Sequence, residues 1–145
     1  MASVRNCNLP DELYYVIEKH VWARPTNDLV EVGITDVAQN LAKTLIAITP
    51  KAVGRTVRKG QNVATVESGK WVGPVPSPVA GEIVEVNDAV VSSPGTVNGD
   101  PYVAGWIVRI RATDWEADSA DLATGPEGLA AYQSFLESEG ISCEE

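Results

Sequence analysis

The chain is predicted to be mainly β, a sandwich or small barrel with two short helices. Three observations carry that prediction. The apolar residues fall in short β-branched and aromatic runs, several of which alternate with polar residues. Twelve glycines and nine prolines interrupt those runs. No strand–helix–strand rhythm recurs, which argues against a doubly wound sheet.

In chain order, residues 1–12 read as an irregular lead-in ending at Leu9-Pro10-Asp11-Glu12. Leu13 to Ile17 and His20 to Arg24 have the composition of half-buried strands, and Pro25-Thr26-Asn27-Asp28 supplies the turn between strands. Leu29 to Ile34 alternates and stops at Thr35-Asp36. Asp36 opens a short helix, with Gln39 at capping-box spacing and Val37, Leu41 and Leu45 at helical spacing. The helix is expected to yield before Leu45, because Thr44 to Ile48 reads as a strand that Pro50 ends.

Gly54 and Gly60 punctuate the short segments that follow. Asn62 to Glu67 is a strand. Ser68-Gly69-Lys70 is a turn in which Gly69 is the residue able to take a positive φ, and Trp71 to Val75 returns extended. Pro74, Pro76 and Pro78 cannot donate to a ladder, which confines this limb to an edge or an irregular path. Ala80-Gly81 turns the chain and Glu82 to Asn87 alternates. Residues 88–101 read as a loop excursion. Tyr102 to Arg111 returns as a strand with Trp106, Val108 and Ile110 on one face. Residues 112–125 form an acidic, partly helical linker. The last helix spans Glu127 to Glu139, with Pro126 in its first turn, Gly140 as its stop, and Leu129, Tyr132 and Leu136 as its buried stripe.

At 145 residues the expected organisation is one domain, 1–145: a lead-in (1–12), a β core (13–113) and an acidic helical extension (114–145). The net charge is −9. Through Arg111, 11 acids balance 11 bases; from Ala112 onward there are nine acids and no base. A solubilising acidic tail is expected, with an acidic docking surface as the alternative, and a nucleic-acid partner is disfavoured. No apolar run approaches the roughly 18 residues of a membrane span, and the first residues lack an apolar signal core, so a cytoplasmic location is expected. Cys7 and Cys143 are read as ordinary free thiols, the alternative being a redox pair if the termini meet. With the lone His20 they make no convincing zinc set, and no metal site is expected. The motifs GxSxG, HExxH, GxGxxG and the P-loop are absent, which disfavours an independent catalyst.

Lys70 stands apart. A lysine at a tight turn is ordinarily a solvated charge. Here Glu67-Ser68 precede it at the end of a strand, Gly69 flanks it, and a proline-rich return leads to Ser77-Pro78-Val79-Ala80-Gly81-Glu82-Ile83. A modifying enzyme must choose one ε-amine among five lysines, and a rigid hairpin tip presents a defined target.

At these residues the chain resembles the glycine cleavage system H protein family. His20-Val21-Trp22 aligns with the family's His-Glu-Trp, and Val32-Gly33-Ile34-Thr35-Asp36-Val37-Ala38-Gln39 with its Val-Gly-Ile-Thr-Asp-x-Ala-Gln. Glu67-Ser68-Gly69-Lys70 stands where the family has Glu-Ser-Val-Lys. Ser77 through Asn87, Asp100-Pro101-Tyr102 and Gly105-Trp106 complete the match. The resemblance implies a barrel-sandwich hybrid of two antiparallel sheets, as in lipoyl domains. It also implies lipoate joined by an amide to Lys70, with Glu67, Ser68, Gly69 and Trp71 as the presenting loop.

The departures bear on the cargo. The family parks a cationic aminomethyl group beside acids at the positions of Val21 and Pro74, and an ammonium left without a counter-charge in a cleft is costly. The chain is also similar to lipoate-binding proteins of the heterodisulfide-reductase-like sulfur-oxidation system. That likeness implies a sulfur-containing cargo, a heterodisulfide-reductase-like complex as partner, and a possible redox role for Cys7 and Cys143. The alternative is a glycine cleavage H protein working with the P, T and L proteins. A third reading is an unlipoylated interaction module with a bare Lys70. A biotin carrier fits less well, because Lys70 lies between Gly69 and Trp71 rather than between methionines. A lipoate–protein ligase or another lipoylating enzyme is expected to act on the chain, which is expected to be a monomer.

Overall fold

The structure is a computed structural model that describes residues 2–143. Among these residues twelve strands and five helices follow one another. The first two strands, β1 (Ala2–Val4) and β2 (Cys7–Leu9), pair as a hairpin. Arg5 and Asn6 turn it at φ 50° and 68°. The expected irregular lead-in is therefore ordered. Its strands of three residues each are too short to show alternation, and tertiary contacts hold them.

Next come β3 (Tyr14–Val16), a 3-10 turn (Ile17–Lys19) closed by His20 in the left-handed region at φ 56°, β4 (Val21–Thr26) and β5 (Leu29–Ile34). Helix α1 (Asp36–Ala42) leads to β6 (Leu45–Pro50), the short β7 (Thr56–Val57), β8 (Asn62–Ser68), β9 (Val72–Pro76) and β10 (Gly81–Val86). The excursion at 88–101 folds into two helical turns, α2 (Asp88–Ser92) and α3 (Gly95–Gly99). Asn87 organises it: its side chain accepts from Ala89 N at 3.1 Å and donates to the carbonyls of Ala104 and Trp106. The strand expected from Tyr102 begins only at β11 (Val108–Ala112). The chain turns through Tyr102, whose buried hydroxyl accepts from Asp36 N at 2.8 Å. Helix α4 (Trp115–Ser119), β12 (Ala123–Thr124) and α5 (Gly125–Glu139) complete the chain. Gly140 ends α5 at φ 68°, as a left-handed cap requires.

Seven antiparallel strands form one sheet in the order β12-β3-β4-β5-β11-β10-β7, and β6-β8-β9 form a second. The main core draws on both, with Val32, Ile83 and Ile110 from the large sheet and Ile48, Val66 and Val75 from the small one. This is the mainly β, two-sheet architecture that the sequence suggested. Strand β9 is an edge, as its prolines required.

A second core lies beneath α5. Leu9, Leu13, Tyr15, Trp22, Tyr132 and Leu136 are all fully or almost fully buried there. Trp22 lies flat on Gly33, where a Cβ would come within 2.6 Å of the indole, and its Nε1 donates to Pro101 O at 3.0 Å. The same core contains a Cys7–Cys143 disulfide with its Cα atoms 5.0 Å apart. The cysteines are thus not the free thiols expected. The hairpin β1–β2 and the chain after α5 meet, and Cys143 N donates to Arg5 O at 3.0 Å. Nor is the acidic segment a loose tail: β12 pairs with β3, and Tyr132 and Leu136 anchor α5. Among the described residues no helix is long and apolar enough to cross a membrane.

Candidate functional site

The candidate site is built on the hairpin of β8 and β9, closed by the pair Glu67–Val72. Between the strands run Gly69, Lys70 and Trp71. Ser68 braces this loop. Its buried backbone N–H donates to Trp71 O at 2.7 Å, and its hydroxyl lies 3.4 Å from Lys70 N as acceptor. Lys70 is exposed at the tip. Gly69 does not have the positive φ expected of it, and a Cβ there would meet nothing within 4 Å. The Ser68–Trp71 bond closes the turn without a left-handed residue.

Trp71 was expected as part of the presenting loop. Its indole folds back along β9 and covers Gly73. A Cβ at residue 73 would overlap the ring, lying 2.8 Å from Cε2 and nearer still to other ring atoms. Gly73 is therefore a seat for the indole, which stays 45% exposed.

Beside Lys70 and Trp71 opens a cavity of about 520 Å3, within the usual range for small-molecule sites. Its wall is apolar: Ile34, Ala38, Leu41, Ala42, Val66 and Pro74. Ala38, Leu41 and Ala42 share one face of α1, while Val37 turns away into the second core. The sequence reading grouped Leu41 with Val37; the helix separates them. Glu18, Lys19, His20 and Lys70 supply the polar lining.

His20 is fixed from the far end of the chain. Its Nδ1 lies 2.5 Å from Tyr132 Oη, and the two rings stack. Tyr132 Oη also lies 3.1 Å from Thr35 Oγ1, which accepts from Ala38 N and caps α1. The cap is thus Thr35, one residue before the expected start. Asp36 instead accepts from Gln39 Nε2 and from Asn8 N. Burial pushes the His20 pKa down to about 4, against a smaller upward pull from Glu18. The ring is neutral at neutral pH. Burial also raises the Tyr132 hydroxyl above its ordinary value.

The structure brings together Lys70, Trp71 and Pro74. It places Glu67 half-buried in β8 behind them. It does not bring Val21 to the cavity: that side chain is 1% exposed in the main core, opposite Ile34 in the sheet. Cys7 and Cys143 lie in the second core and not in the cavity wall. Sequence reasoning missed Glu18, a carboxylate at the cavity from a position the motif comparison did not consider. It also missed His20 as a lining residue; its place at the head of the His20-Val21-Trp22 motif was the available signal. Among the described residues no cluster of His, Cys, Asp and Glu could hold a metal.

The donor set and cavity fit a lipoyl group. An exposed lysine on a braced tip can carry an amide-linked arm, and the adjoining apolar wall suits its hydrocarbon and sulfur atoms.

Comparison with known proteins gives a consistent result. The family model described as "Glycine cleavage H-protein" matches residues 13–136. The chain is 43% identical to glycine cleavage system H protein 5 of Aquifex aeolicus, over 99% of both chains. It is 42% identical to probable glycine cleavage system H protein 2 of Saccharolobus solfataricus, over 99% of this chain and 98% of that one. Identity to the glycine cleavage system H protein of Thermus thermophilus is 44%, over 91% and 98%. Among solved structures, a glycine cleavage system H protein from Mycobacterium marinum superposes with a TM-score of 0.75 at 33% identity, covering 92% of this chain and all of that one.

Proposed function

This chain belongs to the glycine cleavage H-protein family, whose members are carriers that hold lipoate covalently, and we propose that Lys70 is the anchor. The observation that carries this reading is Lys70 itself, exposed on a hairpin tip that Ser68 braces, beside an apolar cavity. Lipoate supplies a dithiolane that can be reduced and can hold a group on sulfur. The protein's residues present the arm, hold its attachment point still and shelter it from water. Gly69 and Trp71 flank the anchor in the presenting loop, and Glu67 and Ser68 support it from the end of β8. The carrier works by visiting enzymes, so it needs no catalytic constellation of its own.

The names of the relatives support glycine cleavage as the pathway. In that reading, the family resemblance implies an aminomethyl cargo and the P, T and L proteins as partners. Glu18 at the cavity favours the same reading, because it offers a cationic cargo a counter-charge that the sequence comparison had found missing. A second reading, a sulfur-containing cargo passed to a heterodisulfide-reductase-like complex, draws on the apolar wall and on Pro74 in place of an acid.

Two measurements test these readings. After co-expression with a lipoate–protein ligase, intact mass is expected to rise by one lipoyl adduct, and Lys70→Arg is expected to lose it completely. An unmodified wild type removes the anchor assignment. For the cargo, lipoylated protein is assayed for glycine decarboxylase exchange. Exchange that falls about tenfold or more in Glu18→Gln supports the aminomethyl reading, as loss of a charge-assisted contact predicts. Absence of exchange with a competent decarboxylase favours the sulfur reading.

A further inference from the structure

We propose that Trp71, seated on Gly73, is a positioning residue for the lipoyl arm: its indole is the wall against which the arm's two sulfur atoms lie, in the closed dithiolane and in the open dithiol alike. The inference rests on Lys70 as the anchor and deepens that reading.

Trp71 follows Lys70 directly in the loop, so its ring starts beside the root of the arm. It does not point outward as a loop side chain at a hairpin tip commonly does. It folds onto β9, and the absence of a side chain at Gly73 is what lets it lie there. Gly73 is buried although it belongs to an edge strand, because the indole covers it. The ring is nevertheless 45% exposed and lines the cavity together with Lys70 and Pro74.

A large aromatic half-open to water on one side and fixed from behind has surface left to cover. Divalent sulfur packs favourably against aromatic rings. The rest of the wall, with Ile34, Ala38, Leu41 and Val66, is aliphatic and has no π surface to offer. His20 is the other ring in the lining, and it is already stacked on Tyr132. Trp71 is thus the aromatic surface available to the dithiolane. The pair Trp71–Gly73 works as a unit: any side chain at residue 73 displaces the ring, and without the ring the glycine leaves a gap in the wall.

The test uses lipoylated full-length protein whose adduct is first verified by intact mass. The arm is reduced with a water-soluble phosphine and alkylated with iodoacetamide. Alkylation is followed by intact mass, with Lys70→Arg as the blank for Cys7 and Cys143. A sheltered arm reacts slowly. Trp71→Ala and Gly73→Val are both expected to speed alkylation by about two- to tenfold, the range of a sulfur–aromatic contact expressed as a ratio. Trp71→Phe, which keeps a ring, is expected to stay near the wild-type rate. Tryptophan emission gives an independent reading: lipoylation is expected to lower it in the wild type and to leave it unchanged in Trp71→Phe. Equal alkylation rates in all four lipoylated proteins overturn the positioning role while leaving Lys70 as anchor. A wild type without the adduct overturns the anchor and this inference with it.

Discussion

His20 shows how a single residue joins distant parts of this fold to its site. Its ring is held neutral by burial, with Nδ1 against Tyr132 Oη and a stacked contact behind. The folded pKa of about 4 lies below the ordinary value of 6.5. Between those values the unfolded chain binds the proton and the folded chain does not. Stability from this group is therefore complete above about pH 6.5 and is lost as pH falls toward 4, by up to about 3 kcal/mol. Urea unfolding at pH 7 and pH 4 checks it. His20→Asn, which tolerates the left-handed backbone, is expected to flatten that part of the slope. Equal pH slopes in both proteins refute it. Lys70 was legible from its neighbours in sequence, because presentation is a local property of a turn. The role of His20 was not, because its partner lies 112 residues away.

At the scale of elements, the long alternating runs were legible. Strands β4, β5, β8 and β10 were all expected near their observed positions, since each buries a face that its sequence displays. The misses have physical causes. β1 and β2 are too short to carry a period, and β11 starts late because Tyr102 is engaged with Asp36 N. Strand β9 makes an informative case. Its prolines at 74 and 76 pair with Thr65 and Asn62 across the ladder, yet neither carries an N–H. The open side of the anchor hairpin is thereby short of donors, which blunts strand addition by another molecule. Pro74→Thr with Pro76→Thr restores two donors. At about 1 kcal/mol per recovered bond, self-association is expected to strengthen by roughly tenfold or more. Sedimentation over a concentration series measures it, and an unchanged monomer fraction rejects the edge-protection account.

For the whole molecule, the two-sheet core was legible and the closure of its ends was not. Nothing in the spacing of Cys7 and Cys143 says that they meet; that follows from where β2 and the end of α5 are carried by the intervening fold. The bond spans 136 residues, so it removes much freedom from the unfolded chain. Cys143→Ser, or reduction of the wild type, is expected to lower stability by about 2–5 kcal/mol in guanidinium unfolding. An unchanged midpoint counts against it. The loss is expected first around the second core, since Tyr132 and Leu136 pack in the same cluster as the disulfide. The same bond also changes what a cut means. Because residues 7–143 form a covalent ring, a protease that nicks one exposed loop opens the ring without releasing a fragment. The two pieces stay tethered, and the lysine-bearing hairpin stays attached to both halves of its scaffold until a reductant lets them part.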